Sequence, residues 1–216
     1  MFSKEYADYY DLFNHRKPYQ KEAKFVYKWA GRPEYIFDIG PGTGRHWKYY
    51  PQYTHILGIE KSQSMADKSN YPSILNEDIQ RYNHYEALYG IFDCATALFD
   101  VMNYIPTHDW WAKLPIIKGC PFIFDIWDTE KIKKDGFRTT LKTKNGVSRV
   151  IEPKKQTDKT VELEVTVALN EQEFTECHTM YLWSIDDIKK FCKKDFEIAE
   201  IKHTESWQTW LKLIRK

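Results

Sequence analysis

Up to Asp128 the chain alternates short apolar runs with amphipathic stretches. Tyr6, Tyr9, Tyr10 and Phe13 recur at helical spacing, so residues 1–30 read as helix, interrupted at Arg16, Lys17 and Pro18. A second helix, Tyr19–Trp29, ends at Gly31, a natural C-cap. Then come apolar runs of strand length: YIFDIG (35–40), HILGIE (55–60), SILNED (73–78), FDCATALF (92–99) and PFIFDIWD (121–128). Between them, a helix is predicted from Gly44 toward Tyr50, a short one over 62–68, and another after Trp110–Trp111. Strands alternating with helices predict a Rossmann-like, doubly wound, mostly parallel sheet.

The period changes after Asp128. FRTTLKT, VSRVIE, TVELEVTVAL and FTECHTMYLW alternate apolar and polar residues, which predicts an antiparallel β-meander inserted at about 137–183, with Asn145–Gly146 as a hairpin turn. A capped helix over 184–194 has Asp186 and Asp187 in its first turn, and FEIAEIKH and WQTWLKLIR close the chain as strands. The expected organisation is one domain over 1–216, with a helical cap at 1–30 and the insertion as a lid or a homodimer surface. KIKKD and KKQTDK read as solvated turns.

A length of 216 residues suits one domain with an insertion. A formal net charge of +1 gives no field to draw the chain onto nucleic acid or an anionic membrane. No apolar run approaches the roughly 20 residues that span a bilayer. The start, MFSKEYADYYDLFNHRK, has no signal-peptide core, so a cytoplasmic location is expected. Cys94, Cys120, Cys177 and Cys192 form no CxxC pair and read as buried thiols, with no metal expected. The aromatic excess, 15 Tyr, 12 Phe and 8 Trp, suggests core filling plus aromatic walls around a small ligand.

FDIGPGTGRH (37–46) places three glycines at alternate positions after a buried strand. Gly40 and Gly42 remove side chains where a ligand must touch backbone, and Gly44 lets a helix pack close to the strand. Amides at a helix start favour a carboxylate or phosphate. A dinucleotide turn needs a small residue at the sixth position from Gly40, and that position is Arg45. Asp38 precedes the turn, Glu60 ends the second strand where it can accept two ribose hydroxyls, and Asp78 ends the third.

This order resembles class I S-adenosylmethionine (SAM)-dependent methyltransferases, whose product is S-adenosylhomocysteine (SAH). The resemblance implies that the turn holds the methionine part of SAM and Glu60 the ribose. Asp78 then accepts the adenine amino group, Ile79 covers the ring, and Ala97 and Phe99 lie beside the methionine part. Asp38, Lys61 and Met65 join the expected cofactor set. His46 is assigned to the methionine carboxylate, with a satisfied helix-start histidine as the alternative.

YYDLF with KPYQKEA, GTGRHW and FDIWDTEKIKKDGF, then SRV, ELEVTVAL and FTECHTMYLWSIDDIKKF, resemble the sugar N,N-dimethyltransferases, which act on nucleotide-linked amino sugars. That implies a small-molecule amine acceptor. Tyr10 and Tyr104 become the catalytic candidates, and Tyr19 the tyrosine over the cofactor. Tyr6, Trp127, Arg149 and His178 are the substrate candidates. Arg149 reads as a solvated strand residue unless a substrate phosphate meets it, and His178 as a surface histidine unless it faces inward. Other N- or O-acceptors, RNA or protein are alternatives, as is a non-catalytic SAM-binding protein. Near-zero net charge and the lack of an N/D-P-P-Y/F motif in ALFDVMNY weigh against nucleic acid.

Overall fold

The computed structural model describes residues 2–82, 85–107, 109–135, 137, 140–144, 146–169, 172–204 and 207–216. Helices α1 (Lys4–Phe13) and α2 (Tyr19–Trp29) open the chain, separated at the Arg16–Lys17–Pro18 break. Strands β1 (Tyr35–Ile39), β2 (His55–Glu60) and β3 (Ile74–Asn76) follow, then β4 (Cys94–Ala97) and β5 (Pro121–Trp127). Short helices α3 (Gln63–Asp67) and α4 (Tyr85–Leu88) sit between them, and α5 (Thr129–Asp135) follows β5. The insertion holds β6 (Thr140–Lys144), β7 (Val147–Gln156), β8 (Thr160–Leu169) and β9 (Gln172–Tyr181). The chain closes with α6 (Ile185–Cys192), β10 (Phe196–His203) and β11 (Gln208–Arg215).

The main sheet runs β10-β11-β5-β4-β1-β2-β3, and the insertion forms its own sheet, β6-β7-β8-β9. Strands β1 to β5 pair in parallel, and β11 returns antiparallel along β5. The strand order reverses between β1 and β4, which is where an open α/β sheet leaves a crevice at the strands' carboxyl ends.

Alternation along the strands splits the core in two. Ile36, Cys94, Ile123 and Trp210 meet Ala23, Val26 and Trp29 of α2 on one face. Phe37, Ala95, Phe122, Phe124 and Leu211 take the other, with Trp110, Trp111 and Ile188. The inserted sheet has its own cluster. Val147, Val165 and Val167 pack against Tyr6 and Phe13, so α1 is the piece shared by both sheets.

Several expectations change. Residues 44–50 form no α-helix, only a turn and a 3-10 segment at Trp47–Tyr49. Gly40, Gly42 and Gly44 are all left-handed, and the Trp47 indole is tied back to Asp38, so the chain cannot wind regularly here. Trp110–Trp111 lie within a 3-10 segment, Asp109–Lys113, with no α-helix before β5. KIKKD is helical, because Asp128 Oδ1 accepts the Lys131 N–H at its start and Ile132 is buried. SILNED narrows to Ile74–Asn76. Asn145 of the expected hairpin turn lies outside the described residues. The capped helix is found, with a capping box between Ser184 and Asp187.

Gly58 of β2 had drawn no attention in the sequence. A Cβ there would come within 2.8 Å of both Pro41 Cγ and the Trp47 ring. Gly58→Ala should therefore overpack this corner and cost about 1–3 kcal/mol. A denaturant midpoint equal to wild type would show that the indole has room to give.

Candidate functional site

Asp38 is 3 % exposed, and each of its oxygens accepts one bond from within the protein. Trp47 Nε1 donates to Oδ2 at 2.6 Å and Thr96 Oγ1 to Oδ1 at 2.6 Å. Within the fold these bonds fasten the turn to β4. Burial raises its pKa against these two bonds.

The glycines are also explained by packing. A Cβ on Gly40 would strike Val101, one on Gly42 would crowd Met65 at 3.2 Å, and one on Gly44 would meet the Tyr71 ring at 2.6 Å. Gly44 thus accommodates Tyr71 rather than a helix. All three have positive φ, so the turn's shape itself demands glycine.

Glu60 is 7 % exposed and faces the turn across the crevice. Its carboxylate accepts the Gly42 N–H at 2.9 Å and the Ser62 N–H at 2.8 Å. Two bonds leave lone pairs on both oxygens. Burial raises its pKa, partly offset by those amides. Lys61 bonds Asp78 at 2.9 Å, and Asp78 Oδ1 accepts the Gln80 N–H, so this acid is already engaged at the sheet's edge. Ile79 and Met65 are buried beside it in the chain's core.

Helices α1 and α2 form the roof. Thr43 Oγ1 and Arg45 both bond Asp11, docking α1 onto the turn. His46 Nε2 pairs with Glu22 at 2.9 Å, and Lys17 takes the other Glu22 oxygen at 2.6 Å. Burial opposes charge on Glu22, but His46 and Lys17 outweigh it and hold its pKa low. His46 is thus the satisfied histidine of the alternative reading, its Nε2 bonded to Glu22. Tyr19 meets the His46 ring edge-on at 4.9 Å. Its hydroxyl is buried with no hydrogen-bond partner among the described residues. Burial lifts its pKa despite Arg45. Tyr10 is raised well above its ordinary value by burial, with Tyr19, Tyr6, Tyr104 and Glu60 adding to it. Both phenols are neutral at physiological pH.

Beyond Tyr10 lies an aromatic chamber. Phe2 stands between Tyr6 (5.1 Å), His178 (4.9 Å), Tyr104 (5.7 Å) and Tyr10 (6.0 Å). His178 is buried, not at the surface, and its Nε2 pairs with Glu176 at 2.7 Å. Glu176 also accepts the Ser3 N–H at 2.9 Å. Arg149 is buried too, not solvated, and donates from Nη1 to the Tyr6 hydroxyl at 2.9 Å. Trp127 is not part of this group, since its ring packs on Phe137 at 4.9 Å in the cluster under α5.

At the end of β4, Phe99 and Asp100 both adopt positive φ, which is costly for side chains of this kind. Asp125 holds them there. Its carboxylate accepts the Phe99 N–H at 2.7 Å, the Asp100 N–H at 3.0 Å and Gln208 Nε2 at 3.1 Å. The strain directs Phe99 toward Tyr10 (6.5 Å) and under the Lys17 ammonium (4.1 Å). Ala97 is fully buried just before it. Burial, and then the Asp100 charge, raise Asp125 to about 8, and Asp100 is raised as well. The pair therefore shares one proton. Asp11, Glu22, Asn103 and the Asp100–Asp125 pair were all missed in the sequence. Asn103 links the insertion to β5, donating to Tyr181 O and accepting the Trp127 N–H. FDIWD offered one signal, an acid inside an otherwise apolar strand.

No protein-family profile matches the chain, and no curated protein matches it. Solved structures do match. A SAM-dependent methyltransferase from Clostridium acetobutylicum has a TM-score of 0.79 at 19 % identity, over 98 % of each chain. DesVI from Streptomyces venezuelae has 0.79 at 17 % identity over 100 % of each chain. SAM-bound CalS10, an amino pentose methyltransferase from Micromonospora echinaspora, has 0.76 at 18 % identity, over 100 % of this chain and 98 % of the other. At such identities the likeness establishes the fold: a Rossmann-like doubly wound sheet with an inserted antiparallel sheet.

The acid pair makes a pH prediction. The folded pair holds its proton more tightly than the unfolded chain, so its contribution is full at low pH. It is lost as pH rises from about 4 to about 8 and levels off above. Asp100→Asn removes the neighbouring charge that helps raise Asp125 and should flatten that decline in denaturation midpoints measured between about pH 6 and 8. Parallel slopes for the two proteins would contradict the shared proton.

Proposed function

We propose that this chain is a SAM-dependent methyltransferase acting on an amino group of a small molecule. The observation that carries the reading is the pairing of the bare left-handed turn with the buried Glu60 at the sheet's switch point. That acid keeps lone pairs free in the place where a nucleoside's ribose is held in this fold. The group fits on a second count: the buried Tyr19 hydroxyl, without a hydrogen-bond partner among the described residues, can bond a ligand there.

Glu60 is assigned to the ribose hydroxyls, and the Gly40–Gly44 turn with Tyr19 to the amino-acid end. Asp78, tethered by Lys61, and Ile79 are assigned to the adenine. When bound, SAM supplies an electrophilic methyl group on a sulfonium. The protein's task is then to hold a neutral amine in line with it, and alignment of this kind can contribute roughly 7–11 kcal/mol. Tyr10 does this work. Its neutral hydroxyl can accept a hydrogen bond from an amine N–H, leaving the nitrogen lone pair free. Phe99 and Tyr10 present ring faces that suit positive charge, an attraction worth roughly 0.5–2 kcal/mol. Tyr104 and His178 line the acceptor side. The inserted sheet, bridged by α1, acts as the lid that keeps water out.

The acceptor proposed is an amino sugar. The support is the likeness to CalS10 and to KedS8, a sugar N-methyltransferase from a Streptoalloteichus species, together with the aromatic cluster between α1 and β9. Among the described residues no helix is long and apolar enough to cross a membrane.

Two substitutions separate the halves of the site. Glu60→Ala should weaken SAM binding by about tenfold or more in calorimetry, matching the loss of charge-assisted bonds. Unchanged affinity would remove the ribose assignment. Tyr10→Phe should lower turnover by about tenfold while SAM affinity stays within about threefold. Loss of SAM binding with intact turnover at saturation would exchange the roles of Tyr10 and Tyr19.

A further inference from the structure

Phe2 lies just ahead of α1, and its ring has four others around it. Tyr6 stacks on it at 5.1 Å with 13° between the planes, and His178 tilts against it at 4.9 Å. Tyr104 meets it edge-on at 5.7 Å, and Tyr10 stands at 6.0 Å. Tyr10, Tyr104 and His178 are the side chains proposed for the acceptor. A ring from the segment before α1 therefore sits where they converge.

An apolar residue ahead of a helix cap commonly packs back on the first turn. Ser3 does cap α1 here, accepting the Tyr6 N–H at 3.0 Å. That role needs only Tyr6. The contacts with Tyr104, after β4, and with His178, on β9, go beyond it.

The hold on this segment is slight. Ser62 Oγ donates to the Phe2 carbonyl at 3.1 Å, and the Ser3 N–H donates to Glu176 at 2.9 Å. Phe2 and Ser3 are half-buried and Tyr104 is exposed, so solvent reaches the group from that side. A segment tied in this way opens at far lower cost than the sheets beneath it. The walls keep their own partners when the ring leaves: His178 is bonded to Glu176 and Tyr6 to Arg149. The Ser62 tie also sets the segment beside the cofactor crevice, because the Ser62 N–H donates to Glu60 at 2.8 Å.

We infer that Phe2 is a displaceable plug: its ring occupies the seat of a ring in the acceptor, and the segment before α1 swings aside to admit that molecule. This deepens the proposed function and rests on it for the word acceptor; the displaceable ring does not. The plug sets specificity. An entering amine must gain more from Tyr6, Tyr10 and His178 than Phe2 does, which turns away open-chain amines with no ring to stack. The affinity observed is the intrinsic one reduced by the fraction of molecules with the plug out.

The test uses the full chain and benzylamine, a six-membered ring carrying an amine. Binding is followed by calorimetry in wild type and in Phe2→Ala, with SAH binding measured alongside. Phe2→Ala should bind benzylamine about tenfold or more tighter, with SAH affinity within about threefold of wild type. In wild type, saturating benzylamine should speed hydrogen exchange at the Ser3 amide by about threefold or more, read by NMR, as that amide leaves Glu176. This second readout holds even where the variant fails to fold. Equal or weaker binding by folded Phe2→Ala, no binding by either protein up to about 100 mM, or unchanged Ser3 exchange at saturation each overturns the plug. Benzylamine binding as expected in a protein that does not bind SAH leaves the plug standing and removes the methyltransferase reading instead.

Discussion

The buried carboxylate of Asp38 sets the geometry on which the rest of the structure depends. It lies at the end of β1, accepts one bond from the Thr96 hydroxyl on β4 and another from the Trp47 indole beyond the glycine turn. Those bonds close the turn over the strand ends at the point where the sheet's order reverses. Gly58 must be bare for the indole to enter, and Glu60, two residues along the same strand, then reaches the Gly42 amide. A buried acid with both oxygens satisfied locks geometry strongly, because leaving either donor unpaired costs about 1–3 kcal/mol.

From that fixed corner the molecule builds outward through α1. Asp11 ties the helix to Thr43 and Arg45 of the turn, and Asp8 pairs with Lys68 after α3. At the other end, Ser3 bonds Glu176 and Tyr6 bonds Arg149, both on the inserted sheet. One helix therefore sets the distance between the glycine turn with Glu60 and the aromatic cluster around Phe2. Tyr10 and the strained Phe99 stand at their junction. The Asp125 clamp shows that the protein spends stability to aim Phe99, a pattern of strain concentrated at functional sites.

The strands, their order of appearance and the insertion were legible because apolar runs and alternation report burial directly. The glycine turn was legible as a turn, but its neighbours were not. Gly40, Gly42 and Gly44 are bare because Val101, Met65 and Tyr71 come from distant segments, and no local pattern announces such contacts. The helix expected from Gly44 failed for the same reason: the Trp47–Asp38 bond overrides local propensity. Arg149 and His178 looked like surface residues because a single charged or polar side chain on an inserted strand is most often solvated. Only the packing of α1 over that face of the insertion makes them interior. The roles of Asp11 and Glu22 are pairings across the chain and leave no trace in spacing, and Asp125 showed only as an acid inside an apolar strand.

The most direct measurement of the central claim follows the methyl group. The protein is incubated with methyl-labelled SAM and a cell extract, and the label is separated by molecular size and charge. The account predicts label in small, amine-bearing molecules. Label in RNA or protein would contradict the acceptor class, and a protein that neither binds SAM nor moves the label would contradict the assignment of Glu60 and the glycine turn.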